Sequence, residues 1–224
     1  MHKAIRIILI FVALLLLLFL FGSKLNHNSE KPDSTTNTTP TKESKKDQPK
    51  SSGQFIDNRD NHQYNWVKIG TQTWMAENLA FKPQSDYWSY NNQDSNVDTY
   101  GYLYTWQIAQ SICPQGWHLP TKEEWQTLNK NWKLHSGNKL KEKGTAHWQS
   151  PNAEATNESH FTALPGGANF DGSFSSQGRS GFWWSSTEID DKNAYAFVLR
   201  AKDPGISWYS GSKTRGLSVR CIKN

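Results

Sequence analysis

The chain has 224 residues, of which 35% are hydrophobic and 13% aromatic, and its formal net charge is +5. The charge is unevenly distributed: residues 1–53 hold eight Lys or Arg against four acidic residues, whereas residues 54–224 hold 17 against 16. Because the aromatic part of the chain is almost neutral, the composition excludes a basic nucleic-acid-binding domain and predicts no nucleic-acid partner.

Residues 1–22 are predicted to insert into a membrane. Ile7 to Phe21 form an unbroken apolar run of 15 residues, preceded by Lys3 and Arg6. A run of this length is typical of a signal-peptide core, but small residues at the spacing of a cleavage site do not follow it. We therefore expect an uncleaved signal anchor, with a cleaved signal peptide as the alternative. The flanking positive charges predict that the rest of the chain leaves the cytoplasm.

The remainder divides into a linker and a folded part. Residues 23–53 are predicted to be a disordered polar linker, because Ser, Thr, Asn, Pro and Lys dominate them. As a flexible coil this linker would reach about 30 Å. All 11 tryptophans and all eight tyrosines lie in residues 54–224, which are therefore predicted to form one domain with its own core.

The only two cysteines are Cys113 and Cys221. Beyond an export signal, two cysteines are typical of a structural disulfide rather than of reactive thiols, and two free buried cysteines are the alternative. Closing a loop of about 108 residues would stabilise the fold by about 4–5 kcal/mol.

Local patterns predict several elements in chain order. Residues 66–69 and 73–75 flank a turn at Gly70 and form a predicted hairpin. Residues 105–112 show helical spacing, and Pro114 ends that run. Thr121 and Glu124 form a capping box, so a second helix should begin at about residue 122, with Trp125, Leu128 and Trp132 on one apolar face.

Three apolar or alternating segments near the C-terminus predict strands at residues 195–199, 206–209 and 217–221. One strand hairpin, two helices, a long irregular middle and three final strands are typical of an α+β fold.

Several blocks in this order resemble the Fibrobacter succinogenes major paralogous domain family over about residues 55–224. The blocks are Asp57-Asn58-Arg59-Asp60, Tyr64, Val67-Lys68-Ile69-Gly70, Trp74-Met75-Ala76-Glu77-Asn78-Leu79, Cys113 to Pro120, Phe161 to Gly167, Phe182 to Glu188 and Gly216 to Cys221. The resemblance implies a C-type-lectin-like domain with two helices, a small antiparallel sheet and long loops. It also implies an exported bacterial protein, and it brings no established activity.

Many members of that family resemble lipoproteins, but this chain lacks a lipid-acceptor cysteine after its apolar run. We therefore expect it in the bacterial inner membrane, facing the periplasm and held by its N-terminal helix. If the signal is cleaved, we expect a secreted or cell-surface protein.

The segment from Asp190 to Arg215 interleaves aromatic, Arg, Ser and Asn residues with core residues, a composition typical of adaptable binding surfaces. Adjacent tryptophans in a strand point to opposite faces, so one of Trp183 and Trp184 is expected to be exposed. The predicted ligand-binding residues are Arg179, Trp184, Glu188, Asn193, Tyr195, Arg200, Trp208, Tyr209 and Arg215.

Metal binding and catalysis have little support in the sequence. Asn169 and Asp171 in a Gly-rich turn are weak candidates for binding calcium, but no EF-hand pattern surrounds them, and we expect no metal and no other cofactor. No Ser-His-Asp order, His-Glu-x-x-His motif or phosphate loop appears, so we expect no enzyme.

The sequence thus predicts a non-enzymatic, membrane-tethered binding module outside the cytoplasm, which recognises an envelope protein or a glycan through its C-terminal loop and strand face. The alternative is a structural cell-envelope module without a discrete ligand pocket.

Overall fold

The computed structural model describes residues 51–131 and 136–224. The predicted anchor, residues 1–22, lies outside the described residues, as do Trp132 and almost all of the predicted linker. The first strand begins at Ser52, close to the predicted domain boundary at Gln54. Within the described part of the chain, no helix is long and apolar enough to span a bilayer.

Strands dominate the described residues. They are β1 (Ser52–Asp57), β2 (His62–Ile69), β3 (Gln72–Met75), β4 (Tyr87–Trp88), β5 (Leu103–Tyr104), β6 (Trp117–His118), β7 (Ala168–Phe170), β8 (Ser173–Ser175), β9 (Ser180–Glu188), β10 (Asn193–Arg200), β11 (Asp203–Ser212), β12 (Leu217–Ser218) and β13 (Ile222–Lys223). The α-helices are α1 (Val97–Tyr100), α2 (Trp106–Ala109), α3 (Lys122–Lys130) and α4 (Ser136–Leu140), with 3₁₀ turns at Tyr90–Asn92 and Asp94–Asn96.

One sheet has the order β1-β2-β3-β13-β6, and all of its neighbours are antiparallel. The predicted hairpin is confirmed as β2 and β3, whose register pairs Ile69 with Gln72 across the turn. Gly70 adopts a φ of 60° in this turn, a left-handed conformation that glycine accepts at little cost. The last strand, β13, pairs with β3, so the C-terminus closes onto the N-terminal hairpin.

A second sheet has the order β11-β10-β9-β12-β5-β4. Its neighbours are antiparallel except β9 and β12, which run parallel. Strands β7 and β8 form a separate hairpin, in which Asp171 and Gly172 take positive φ angles. Strand β11 therefore lies at one end of the six-stranded sheet.

The predicted capping box of α3 is confirmed. The Thr121 hydroxyl accepts a hydrogen bond from the Glu124 N–H at 3.1 Å, and the Glu124 carboxylate accepts one from the Thr121 N–H at 2.8 Å. Trp125 and Leu128 on the inner face of the helix are fully buried. The Trp125 ring stacks on Phe197 of β10 at 4.5 Å, which fixes the helix against the six-stranded sheet.

The prediction of an α+β, C-type-lectin-like domain with two helices and a small sheet is wrong. Strands make up 38% and helices 16% of the described structure, which is mostly β-sheet. Of the first helix predicted at residues 105–112, only the four residues of α2 are α-helical. Several strands, among them β4, β5 and β12, have only two residues and form by pairing with distant strands. Two residues cannot show the alternation on which strand prediction depends.

Strand β9 separates two hydrophobic clusters. Trp184 belongs to the cluster that contains Tyr104 and Leu217, whereas Trp183 belongs to the cluster that contains Trp125 and Phe197. Both tryptophans have no exposed surface. Because β9 lies inside its sheet, adjacent side chains that point to opposite faces enter one core each, and neither reaches solvent.

Arg220 is buried in the interior of the domain, with only 1% of its surface exposed. Its Nε and Nη2 donate to Oδ1 of Asn78 at 3.3 and 3.0 Å. Its Nη1 donates to the carbonyl of Phe161, and its Nη2 also lies 3.4 Å from the carbonyl of Thr162. The same Asn78 oxygen accepts a hydrogen bond from the Trp183 indole at 2.8 Å. A buried charge is therefore satisfied by neutral oxygens from separate segments of the chain.

The predicted disulfide is confirmed. Cys113 and Cys221 are bonded, with their Cα atoms 5.9 Å apart, and the two residues are 108 positions apart in sequence. Cys221 follows Arg220 directly, so the covalent link and the buried charge constrain the same C-terminal segment.

We expect the Cys113→Ala, Cys221→Ala double variant to lose about 4–5 kcal/mol of unfolding free energy, because the long loop is no longer closed in the unfolded chain. Urea unfolding of the purified protein, with and without reductant, measures this. Reductant should destabilise the wild type and leave the double variant unchanged. A loss below about 1 kcal/mol would show that the link contributes little.

We expect Arg220→Lys to lower the unfolding free energy by about 2–4 kcal/mol, because an ammonium group cannot serve Asn78 and the Phe161 carbonyl with the same planar fork. Arg200→Lys, at a half-buried position on the sheet, is the matched control and should cost less than about 0.5 kcal/mol. Equal effects in the two variants, measured by urea unfolding, would contradict a special role for the buried guanidinium.

Candidate ligand-binding face

The predicted binding residues on β10 and β11 lie on two opposite faces of the sheet rather than on one. In the antiparallel register Phe197 pairs with Trp208, and Ala196 pairs with Tyr209. Paired residues share a face and consecutive residues do not. Tyr195 and Trp208 therefore lie on the face that α3 covers in part, and Tyr209 lies on the other.

On the first face, Lys122, Tyr195 and Trp208 form a half-exposed group that we call the Trp208 patch. The Tyr195 and Trp208 rings meet edge to face, with their centroids 6.1 Å apart. The Lys122 ammonium lies 3.6 Å from the centroid of the Tyr195 ring and 5.6 Å from that of Trp208. No carboxylate of the described residues forms an ion pair with Lys122. The patch thus presents aromatic surface with a cation held beside it.

On the opposite face, Phe170, Tyr209 and Arg215 form a second group, the Tyr209 patch. The Tyr209 ring lies edge to face with Phe170 at 6.2 Å and with the buried Phe182 at 5.8 Å. The Arg215 guanidinium lies 5.1 Å from the Phe170 ring and 5.6 Å from the Tyr209 ring. Its Nε is 3.5 Å from Oδ2 of Asp171, but this buried atom makes no hydrogen bond.

The other predicted residues occupy the two ends of these strands. At one end, Asn193 donates to Asp190, and Lys213 pairs with Glu188 at 2.8 Å. At the opposite end, Arg200 pairs with Asp203 of β11 in the sheet register. The exposed Arg179 lies near that end, where its carbonyl accepts a hydrogen bond from the Ala201 N–H.

Trp184 is not a surface residue, contrary to its prediction as a binding residue. It has no exposed surface, and its indole N–H donates to the carbonyl of Tyr104 at 2.8 Å. A ligand at the surface cannot contact this ring.

The two calcium candidates take part in the β7–β8 hairpin. Asn169 is almost fully buried, and its Oδ1 accepts a hydrogen bond from the Gly172 N–H at 2.8 Å, which closes the turn. Asp171 is exposed and faces Arg215 and Thr214. Both side chains therefore have protein partners.

Three concave regions lie away from the predicted binding residues. The first, of about 980 Å³, is bordered by β1, β2 and the loop at residues 158–162, with Trp66 among its walls. The second, of about 320 Å³, is lined in part by Tyr87 and Trp88. The third, of about 260 Å³, has Arg220 in its lining. None of the three is lined by a residue of the Trp208 patch or the Tyr209 patch.

Lys122 and Phe170 were not predicted from the sequence. Lys122 is distant in sequence from Tyr195, and its ordinary role as the first residue of a helix gave no sign of an aromatic partner. Phe170 lies between the two calcium candidates Asn169 and Asp171, and only the packing of the β7–β8 hairpin brings it to Tyr209.

Lys141 is a second buried cation. It has no exposed surface, and its ammonium donates to the carbonyls of Arg200 at 3.0 Å, Asp203 at 3.2 Å and Ala153 at 3.5 Å. Burial lowers the pKa of Lys141 to about 8, an effect that the charge of Asp203 opposes. The side chain thus connects the turn between β10 and β11 to the loop that contains Ala153.

The chain belongs to the Fibrobacter succinogenes major domain family, whose model matches residues 67–223. This confirms the resemblance seen in the sequence blocks. Comparisons with curated proteins and with solved structures gave no match. The family therefore identifies the domain without assigning it a ligand.

The lowered pKa of Lys141 predicts a rise in stability with pH. Between its folded pKa of about 8 and the ordinary value of 10.5, the unfolded chain binds a proton that the folded protein does not. The unfolding free energy should therefore increase by about 2 kcal/mol from pH 7 to pH 10 through this group. Lys141→Met should remove that rise.

Urea unfolding of both proteins at several pH values measures the difference between them. Burial raises the pKa values of Tyr64 and Tyr104, which lowers stability above pH 10 in wild type and variant alike. The comparison should therefore stop at pH 10. Parallel pH profiles of the two proteins would contradict the prediction.

Proposed function

We propose that this chain is a membrane-tethered binding module outside the cytoplasm, without catalytic activity, which recognises a protein or glycan ligand at the aromatic end of its six-stranded sheet. The observation that carries the proposal is the pair of patches on β10 and β11. Each combines half-exposed aromatic rings with a cation; within the described residues Lys122 forms no ion pair, and Arg215 has Asp171 at 3.5 Å but no hydrogen bond from its Nε.

Aromatic rings and arginine are the residues that most often dominate binding energy at protein surfaces. They offer a large contact area at a low cost in side-chain entropy, because few bonds must be fixed. An aromatic face also stacks on a sugar ring, so the same surface fits either class of ligand.

The location outside the cytoplasm is supported by two independent features. The cysteines of the chain are paired in a disulfide, which persists in oxidising compartments and is rare in the cytoplasm. The apolar run after Lys3 and Arg6 is typical of an export signal.

The test uses the full-length protein in mild detergent, applied to a glycan array and to envelope extracts whose captured proteins are identified by mass spectrometry. Two variants remove one patch each: Tyr195→Ala with Trp208→Ala, and Tyr209→Ala with Arg215→Ala. Tyr87→Ala is the matched control, because Tyr87 is a half-exposed aromatic residue on β4, at the other end of the same sheet.

We expect loss of at least one patch to weaken binding of a captured ligand by about thirty-fold or more, since truncating a dominant aromatic residue typically costs 2 kcal/mol or more. The Tyr87→Ala control should bind as the wild type does. If folded protein binds no glycan and no envelope protein, or if the patch variants bind unchanged, the proposal fails in favour of a structural envelope module.

A further inference from the structure

Within residues 51–131 and 136–224, no strand covers the outer edge of β11. The strand pairs with β10 on one side, and no described strand pairs with it on the other. Near its start, Gly137 of α4 packs so closely that an added Cβ would lie 2.2 Å from the carbonyl oxygen of Gly205. From residue 206 to residue 211, no backbone hydrogen bond from the described residues outside the β10–β11 ladder reaches the strand.

Beyond Asp203 and Pro204 at its start, this edge lacks the usual protection of sheet edges. Exposed edges are normally short, or they carry charged residues or proline that prevent pairing with another chain. The ends of the two large sheets formed by β4 and β6 have two residues each, and β1 has six. Strand β11 has ten, and its segment at residues 206–212 contains neither a charged residue nor a proline.

An open edge dictates the conformation of what binds there. Alternate residues of β11 direct their N–H and C=O groups away from β10, and only an extended chain can pair with such a row. A glycan can stack on the aromatic rings, but it cannot continue the ladder.

The flanking patches dictate the composition of that chain. A strand added beside β11 would place successive side chains alternately on the Trp208 patch and on the Tyr209 patch. The first holds Lys122, which forms no ion pair with a described carboxylate, and the second holds the half-exposed Arg215, whose Nε lies 3.5 Å from the Asp171 carboxylate without a hydrogen bond. Acidic residues in the added strand would meet both cations.

The same charges disfavour a second copy of this chain as the occupant. Antiparallel pairing of two β11 strands would bring the Lys122 and Arg215 side chains of both copies to one interface, and like charges at an interface oppose association. The composition of the edge favours a partner that is acidic where this chain is basic.

We propose that β11 binds an extended acidic segment of a partner protein, which adds as a seventh strand to the six-stranded sheet. The inference rests on the proposed binding function and names the class of its ligand. The preferred sequence has two acidic residues an odd number of positions apart, because Lys122 and Arg215 lie on opposite faces of β11.

A phage-displayed library of random twelve-residue peptides, selected on the full-length protein in detergent, provides the probe. We expect selected peptides to carry acidic residues at odd spacing. With the peptide bound, hydrogen–deuterium exchange should slow about tenfold or more across residues 206–212, because the free backbone amides acquire partners. Lys122→Glu and Arg215→Glu should each weaken binding of the acidic peptides by about tenfold.

Two proline variants test the backbone contacts separately from the side chains. Ser207 and Ser210 differ by an odd number of positions, so the N–H of one faces β10 and that of the other faces outward. Proline at the outward position should keep the thermal midpoint and abolish peptide binding, whereas proline at the inward position should lower the midpoint. A folded outward variant that still binds would overturn the proposal.

The remaining outcomes separate this inference from the proposed function. Ligands that bind at the patches without slowing exchange in residues 206–212, or glycans alone, would overturn the added strand and leave the binding function intact. A concentration-dependent dimer with protection of β11 would identify a second copy as the occupant and overturn the acidic partner. Absence of any ligand in the peptide, glycan and envelope experiments would overturn both.

Discussion

The burial of a single charge, the guanidinium of Arg220, constrains the whole assembly. Moving an arginine out of water costs several kcal/mol unless its donors find acceptors. Here the acceptors are the amide of Asn78 and the carbonyls of Phe161 and Thr162, which come from separate segments. No one segment can satisfy the charge alone, so the guanidinium is stable in the interior only when all of them have assembled. The disulfide at Cys221 holds the same C-terminal stretch in place.

The blocks that carry the family resemblance are largely the parts of this network. Asn78, Phe161, Trp183 and Arg220 each belong to a different block, and all four meet in the interior. These blocks therefore describe how the domain is held together and say little about what it binds. The exposed rings of the two patches lie mostly between the blocks, on strands that the scaffold positions. A protein can keep this scaffold and change its ligand through those strands.

The elements predicted correctly depend on neighbours in sequence. The turn at Gly70 and the capping box of Thr121 are complete within a few residues, so their patterns are visible in the chain. The two-residue strands and the burial of Trp184 depend on partners far away, because only the position of β9 inside its sheet places that ring in a core. Lys122 was not predicted as a member of the Trp208 patch for the same reason, because its aromatic partners are far away in sequence. The sequence thus indicated the strands on which the candidate residues lie, but not how these residues divide between the two faces of the sheet.

The buried and exposed parts of the sheet are coupled at Gly211. A Cβ at this position would lie 2.8 Å from the Tyr209 ring and 3.1 Å from the Trp184 ring, so the two rings occupy the space that a side chain would need. Trp184 cannot touch a ligand, yet it packs directly beneath the edge strand and limits where that strand can lie. The core therefore supports β11 from one side, while no described strand pairs with its other edge. A strand held in an extended conformation in advance loses less entropy on binding a second strand than a mobile loop would.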